Sequence, residues 1–455
     1  MRAFFAVAKQ TVSAAFRSKV FHILIGLTLL AVFVLPLTAS SDGTVSNELK
    51  LSITYSLTVV SALLSIAAVW IGGTGPSQEI ENYRLQMVTV KPVRTIALWG
   101  GKWCGVFILT GSVFLFSSLL IFLLVQYRIH TGNLPEEELA EARREILTGR
   151  RVYQPVQPDY QKIVQQKYKQ LKKNGNLPAD KTHAEIMQGL QQSLKKQIQE
   201  VPYKNARTWK YTDLKVPDAD SRISVRYRLY VASAAESQQR ITEGKWIIST
   251  SRNPSEEETA VLPQRVVGGA HHEFSFPAET LNDKDTVYIQ YVNEDSRQEN
   301  IVFQTDDSPK ILCRVSGFTA NWLRATIVIM LRLAVLSAVG CLFGVAFSPP
   351  VAVFMAAAYL ILGAIATPTI GTTAGNLTGS GLMNLAAHIV AVTVDKIVVS
   401  LNAFDVSFLL AKGRLIEMSK IAKLLIFEVL LKGGITAALG IWILRSRELG
   451  KVIRK

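Results

Sequence analysis

The sequence predicts a multispanning α-helical membrane protein of six helices that carries an inserted extracytoplasmic α+β domain. Three observations lead to this fold class. The chain of 455 residues is 49% hydrophobic but only 19% charged. Several apolar runs approach or exceed the roughly 20 residues that a membrane-spanning helix needs. A long polar segment, 127–321, separates these runs into two groups.

The predicted spans divide the membrane domain into a first half, 1–126, and a second half, 322–455. The six apolar runs are 20–37, 51–73, 104–125, 325–347, 350–370 and 424–444. Because hydrophobic runs of this length favour the bilayer core, we expect each of them to cross the membrane as a helix.

The first 19 residues predict an amphipathic helix rather than a secretory signal. Phe5, Ala8, Val12 and Phe16 recur at helical spacing among cations. This pattern is typical of a helix that lies on the membrane surface. The basic region is also long for a signal peptide, so we interpret 20–37 as a retained span.

The charge distribution predicts the topology. The formal net charge is +15. Residues 127–320 carry 28 Lys and Arg against 26 Asp and Glu, whereas the remaining segments carry 22 against 9. Cations concentrate in cytoplasmic loops of multispanning proteins. We therefore expect both termini in the cytoplasm, the insert 127–321 outside, and a multi-pass protein of the cell (inner) membrane.

One segment fits this topology poorly. Residues 371–423 fall on the outer side but contain several cations, and their middle, 382–394, is apolar. A seventh span there would move the cationic C-terminus outside. The alternatives are a re-entrant, an interfacial or a spanning segment.

The insert combines a predicted helical part, 134–201, with a predicted β-sandwich, 205–320. Ile186, Leu190, Leu194 and Ile198 repeat every four residues, and a Gly- and Pro-containing turn at 174–178 precedes them. This predicts a helical hairpin. From 222 onward the apolar residues alternate, and short strands are expected at 222–231, 246–249, 273–276, 286–292, 301–304 and 311–315.

A charged loop at 79–102 lies between the second and third spans. Its acids come first and its cations follow, with a proline that breaks any helix. The residues that define it are Glu79, Glu81, Arg84, Lys91, Pro92, Arg94 and Lys102. The acidic start, the Lys-Pro-Val-Arg turn and the Gly101-Lys102 pair resemble the first cytoplasmic loop of ABC-type transporter permeases of the type-2 class.

Two further segments resemble the same permease class. Residues 400–410, SLNAFDVSFLL, are similar to a segment that precedes the last span in these proteins, although the usual proline is missing. The last predicted span is then followed by an Arg-Ser-Arg-Glu-Leu run at 445–449. The resemblance covers about 1–126 and 322–455. It implies an exporter subunit whose first loop docks onto a separate ABC-type ATPase subunit. The exporter subunit would pair with a second copy of itself or with a related permease.

The chain has no motif for chemistry of its own. It lacks the phosphate loop of nucleotide hydrolases and the usual zinc-protease and serine-hydrolase signatures. His271 and His272 are adjacent, so in a strand they would point to opposite faces and would not share a metal. We expect no enzyme activity, cofactor or metal, and no nucleic-acid partner; the expected surroundings are membrane lipids.

Two groups of charges remain as candidate sites. Arg332, Glu428 and Lys432 lie within predicted spans, where charged side chains are costly. They predict either helix–helix ion pairing or the lining of a substrate route or subunit interface. Arg222, Arg226 and Arg228 alternate along a predicted strand. They predict either a solvated face balanced by acids or a site for an anionic ligand.

A different class of function stays open at this point. The chain could be a membrane-anchored extracytoplasmic binding protein that recognises a glycan or a protein without ATP coupling. A membrane-anchored binding protein needs fewer than six spans, so the number of predicted spans favours the permease hypothesis.

Overall fold

The computed structural model describes residues 2–38, 45–85, 93–131, 135–175, 182–215, 222–232, 240–251, 260–281, 285–305, 307–376 and 398–447. The chain forms two compact units. The first comprises 1–149 and 316–455, and the second comprises 150–315. The predicted segment 382–394, the residues Lys91 and Pro92, and the last eight residues lie outside the described ranges.

The first unit is helical. Its longer helices are α1 (Arg2–Phe16), α2 (Lys19–Thr38), α3 (Val45–Glu81), α4 (Thr95–Thr131), α5 (Glu136–Glu145), α8 (Phe318–Ala346) and α9 (Pro349–Asn376). Its last segments are α10 (Ser407–Ala411), α11 (Met418–Lys423), a π-helical segment (Leu424–Gly433) and α12 (Gly434–Ser446). In the second unit α6 (Tyr160–Lys173) and α7 (His183–Gln199) are the helices.

Four helices among the described residues are long and apolar enough to cross a membrane. They are Val45–Glu81, Thr95–Thr131, Phe318–Ala346 and Met418–Ser446. A fifth is obtained if Arg2–Phe16 and Phe21–Pro36, which are bent by 72°, count as one span. The chain thus has several long apolar helices, as a multi-pass membrane protein requires.

The fifth predicted span, 350–370, corresponds to α9, but only the shorter piece Pro349–Ala364 qualifies there as an apolar helix. That piece is shorter than the roughly 20 residues of a span. The first predicted span, 20–37, coincides with α2.

Glycines bring α3 and α8 into close contact. A Cβ added to Gly344 would lie 2.6 Å from the carbonyl oxygens of Gly72 and Gly73, and one added to Gly340 would lie 2.9 Å from Val69 O. Small residues allow membrane helices to approach at backbone distance, where dispersion contacts are largest.

The four long helices share two common ends. At one, Arg447 donates a hydrogen bond to Ala346 O (2.8 Å), and Trp99 packs over Gly440. We call it the loop end, because the segment between α3 and α4 lies there. At the opposite end Lys50 pairs with Glu145 at 2.7 Å.

The second unit contains antiparallel sheets. The strands are β1 (Thr148–Tyr153), β2 (Glu200–Val201), β3 (Ala206–Tyr211), β4 (Arg222–Arg228), β5 (Tyr230–Val231), β6 (Ile241–Ser249), β7 (Ala260–Val267), β8 (His271–Pro277), β9 (Val287–Asn293), β10 (Ile301–Val302) and β11 (Lys310–Gly317). They form sheets in the orders β1-β11-β4-β8, β2-β10-β5 and β3-β9-β6-β7.

The two four-stranded sheets share one aromatic core. The Trp246 ring from β6 lies 4.6 Å from the Tyr227 ring of β4 and 5.4 Å from the Phe274 ring of β8. Trp209 and Phe303 complete the cluster. Aromatic rings bury large areas, so this cluster dominates the packing of the unit.

One expectation within the insert is wrong. The stretch 134–201 is not helical throughout, because β1 lies inside it at Thr148–Tyr153. Val152 and Tyr153 favour a strand, and Pro155 and Pro158 cannot continue a helix. The later part is helical as expected, and α7 begins with a capping box between Thr182 and Glu185.

Candidate functional site

An ion pair joins the two helices that flank the segment 82–94. The Lys102 ammonium on α4 hydrogen-bonds the Glu79 carboxylate on α3, across 23 residues of sequence. Lys102 is only 5% exposed. A buried lysine is tolerated when a carboxylate neutralises it, and losing one partner is costly. The pair therefore fixes the two ends of the loop against each other.

The N-terminal helix α1 packs closely against the start of α4 at two glycines. A Cβ on Gly101 would lie 2.8 Å from the Val7 Cβ, and a Cβ on Gly105 would lie 2.6 Å from the Thr11 Cβ. Val7, Ala8 and Ala15 are accordingly buried. Phe5 and Phe16, part of the expected apolar face, are 64% and 52% exposed. The helix thus turns its small residues to the protein and these large ones outward.

The remaining described charges of the loop lie on the surface. Glu81, Arg84 and Arg94 are exposed. Tyr83 has φ of 59°, in the left-handed region, where α3 ends. The Arg94 carbonyl accepts hydrogen bonds from the Ala97 and Leu98 amides in the first turn of α4. The described part of the loop end therefore presents exposed charges next to the buried pair and the α1–α4 contact.

A cavity of about 160 Å³ lies beside the ion pair, at the bend between α1 and α2. We call it the elbow cavity. Its polar lining residues are Thr11, Ser18, Thr74, Gln78, Glu79 and Lys102. Phe21, Trp70, Ile71 and Val106 supply apolar walls.

A second ion pair lies in the last candidate span. The Lys432 ammonium is 3.0 Å from a Glu428 carboxylate oxygen and 3.0 Å from the Val398 carbonyl oxygen. Both charged side chains are 14% exposed. Glu428 Oε2 is buried and has no hydrogen-bond partner among the described residues. This leaves half of the carboxylate available for a further donor.

The same pair sits in the π-helical segment Leu424–Gly433. π-Helical turns are rare and occur mostly at functional positions. Arg332 on α8, the third predicted intramembrane charge, does not join this pair; it interacts electrostatically with Asp405 instead. The three charges therefore form two separate groups.

The arginines of β4 are engaged with acids. Arg226 donates two hydrogen bonds to Glu273 on β8, at 3.0 and 2.7 Å, and Arg150 donates a third at 2.8 Å. Arg228 binds the Gly269 carbonyl at 2.6 Å and lies 3.8 Å from Asp307. This arrangement leaves Arg222 as the exposed member of the row. A site for an anionic ligand on this face stays a prediction.

Burial suppresses ionisation in the core of the second unit. Desolvation raises the pKa of the Tyr227 hydroxyl to about 12 and that of the Cys313 thiol to about 12. Neither group is therefore a nucleophile near neutral pH.

Two features were missed by the sequence reasoning. The Glu79–Lys102 pair could not be predicted from local sequence patterns, because its members lie on different helices. The docking of α1 did leave a signal, since Gly101 and Gly105 form a small-x-x-x-small spacing. Comparison of the chain with known protein families, curated proteins and solved structures finds no match.

Proposed function

We propose that the chain is the membrane-spanning permease subunit of an ABC-type transporter, an exporter driven by a separate ATPase subunit docked at the loop end. The observation that carries this proposal is the construction of that end. Exposed Glu81, Arg84 and Arg94 lie on a base held by the Glu79–Lys102 pair and by the α1–α4 contact.

In this proposal, six helices cross the cell inner membrane and the loop end faces the cytoplasm. The excess of cations in the membrane segments supports this orientation. The insert 127–321, with its helical hairpin and β-sandwich, then lies outside the cytoplasm. A second copy of the chain or a related permease completes the transporter.

The proposed mechanism is mechanical. Closure of two ATPase subunits on ATP moves the loop end, and the Glu79–Lys102 pair transmits this movement to α3 and α4 together. Because α3 contacts α8 at backbone distance through Gly344, α8 follows. ATP shifts such an equilibrium only by its differential affinity for the two states, so the closed ATPase pair must bind ATP much more tightly.

The test is co-purification of the tagged full chain from its native membrane. Arg84→Glu with Arg94→Glu reverses two exposed charges and leaves the buried pair intact. We expect loss of an ATP-hydrolysing partner, since charge complementarity positions such contacts. Glu79 is a poor choice for this test, because a lysine there would place two ammonium groups together.

The matched control is Arg143→Glu with Arg144→Glu on α5, two exposed arginines at the opposite end. The control variant should keep the partner. Equal recovery of ATPase activity with both variants would contradict the proposed docking surface. Absence of any co-purifying ATPase from the unaltered chain would favour the uncoupled binding protein instead.

A further inference from the structure

We propose that the elbow cavity binds the phosphate-bearing headgroup of an anionic phospholipid from the leaflet at the loop end. This inference needs the candidate spans to cross a bilayer, but it does not depend on ATPase coupling. The two ideas can therefore fail separately.

The cavity offers hydrogen-bond donors, and two cations lie next to its lining in the sequence. Ser18 and Gln78 line it, and neither side chain makes a hydrogen bond among the described residues. Arg17 and Lys19 flank Ser18 in sequence and are exposed. The Glu79 carboxylate does not oppose an anion strongly, because Lys102 already neutralises it. The two lining charges thus cancel, and the exposed neighbours Arg17 and Lys19 leave an excess of positive charge beside the cavity.

The size of the cavity fits a headgroup rather than a whole ligand. Pockets for drug-sized molecules have volumes of roughly 300–1,000 Å³, whereas this cavity has about 160 Å³. A phosphate with a small substituent matches that space. Acyl chains would have to remain outside.

The surroundings favour a lipid over a soluble phosphate. Trp70 lines the cavity and is 42% exposed, so the cavity reaches the outer surface of the helical unit. Ile23 and Leu27 on α2 are also exposed, at 63% and 46%. Tryptophan is typical of the membrane interface, and basic pockets between helices near the cytoplasmic face bind anionic headgroups.

The test is native mass spectrometry of the purified full chain with dioleoylphosphatidylglycerol and, separately, dioleoylphosphatidylcholine. We expect one retained anionic lipid and little retention of the zwitterionic one. Gly75→Leu should abolish retention, because Gly75 lines the cavity and a Cβ there meets no atom within 4 Å. The added side chain therefore starts in open space at the cavity wall.

The matched control is Gly26→Leu on α2, where a Cβ also meets nothing within 4 Å and which does not belong to the lining of the elbow cavity. It should retain the lipid. Replacing Arg17 and Lys19 together by Gln should weaken retention about fivefold for each cation removed. This second variant alters only exposed side chains and so guards against a folding defect in the first.

Three results would overturn the proposal. Gly75→Leu and Gly26→Leu could retain the lipid equally, or the two lipids could bind equally well to the unaltered chain. Glycerol phosphate, which has the headgroup phosphate but no acyl chains, could displace the lipid at similar concentrations. The last result would assign the cavity to a soluble phosphate compound.

Discussion

Glu428 and Lys432 show how charged side chains can be tolerated within a candidate span. A charge at the centre of a membrane helix costs about 2.5–3.5 kcal/mol on insertion scales. Lys432 is stabilised by a carboxylate oxygen and by the Val398 carbonyl oxygen, each at 3.0 Å. The Lys432 ammonium in turn stabilises the Glu428 carboxylate, so each charge depends on the other.

We predict that removing one member of this pair is more harmful than removing both. Lys432→Leu or Glu428→Leu alone leaves a buried charge unpaired and should lower the melting temperature in detergent. The double variant should recover part of that loss, by about 1–3 kcal/mol of coupling. If the two single losses add without any recovery, the residues do not stabilise each other.

The next scale is that of helix–helix contacts, and the glycine contact between α3 and α8 brings two backbones together. We predict that Gly344→Ala destabilises the chain by about 1–3 kcal/mol, as overpacking usually does. Its Cβ would lie 2.6 Å from two backbone oxygens, which cannot move aside like a side chain. Thermal unfolding in detergent measures the loss.

The control for that contact is Gly434→Ala in α12, where a Cβ meets nothing within 4 Å. It should leave the melting temperature unchanged or raise it, because alanine favours a helix over glycine. Similar losses for both substitutions would show that the α3–α8 contact is not as close as described.

We expect alkali to destabilise the second unit, because strand packing buries the Tyr227 hydroxyl. The pKa of Tyr227 is raised from 10 to about 12, so the folded state holds the proton more tightly than the unfolded state. Its contribution is complete below pH 10 and is lost as the pH rises through about 12. The loss amounts to up to about 3 kcal/mol at the highest pH.

Tyr227→Phe should therefore shift alkaline unfolding, followed by tryptophan fluorescence, to higher pH. Tyr83→Phe, at a tyrosine that is 66% exposed, should leave the profile unchanged. A shift of the same size in both variants would mean that burial of Tyr227 does not control the transition.

At this scale, local patterns in the sequence predict several strands and helices and one ion pair. Alternation at 222–231 corresponds to β4 and β5, and the four-residue repeat from Ile186 corresponds to α7. The Glu428–Lys432 pairing follows from their spacing within one helix. Contacts between distant segments could not be predicted, because nothing local links Glu79 to Lys102, or Arg226 to Glu273 across 47 residues.

At the scale of the whole molecule the first question is topology. We predict that a cysteine introduced at Asn174, which is exposed, reacts with a membrane-impermeant thiol reagent in intact cells. A cysteine at Ser446, at the loop end, should react only after the membrane is opened. The background chain needs its own cysteines replaced, which are Cys104, Cys313 and Cys341. The reverse labelling pattern would overturn the proposed orientation.

The central claim, that an ATPase docks at the loop end, is tested most directly by photo-crosslinking. A photoreactive amino acid at Arg84 should capture a polypeptide that also binds a radioactive photoreactive ATP analogue, whereas one at Arg143 should not. Both positions are exposed, and they lie at opposite ends of the helical unit. Capture of such an ATP-binding polypeptide from Arg84 alone is the predicted result; its capture from Arg143, or from neither position, would contradict the proposed docking.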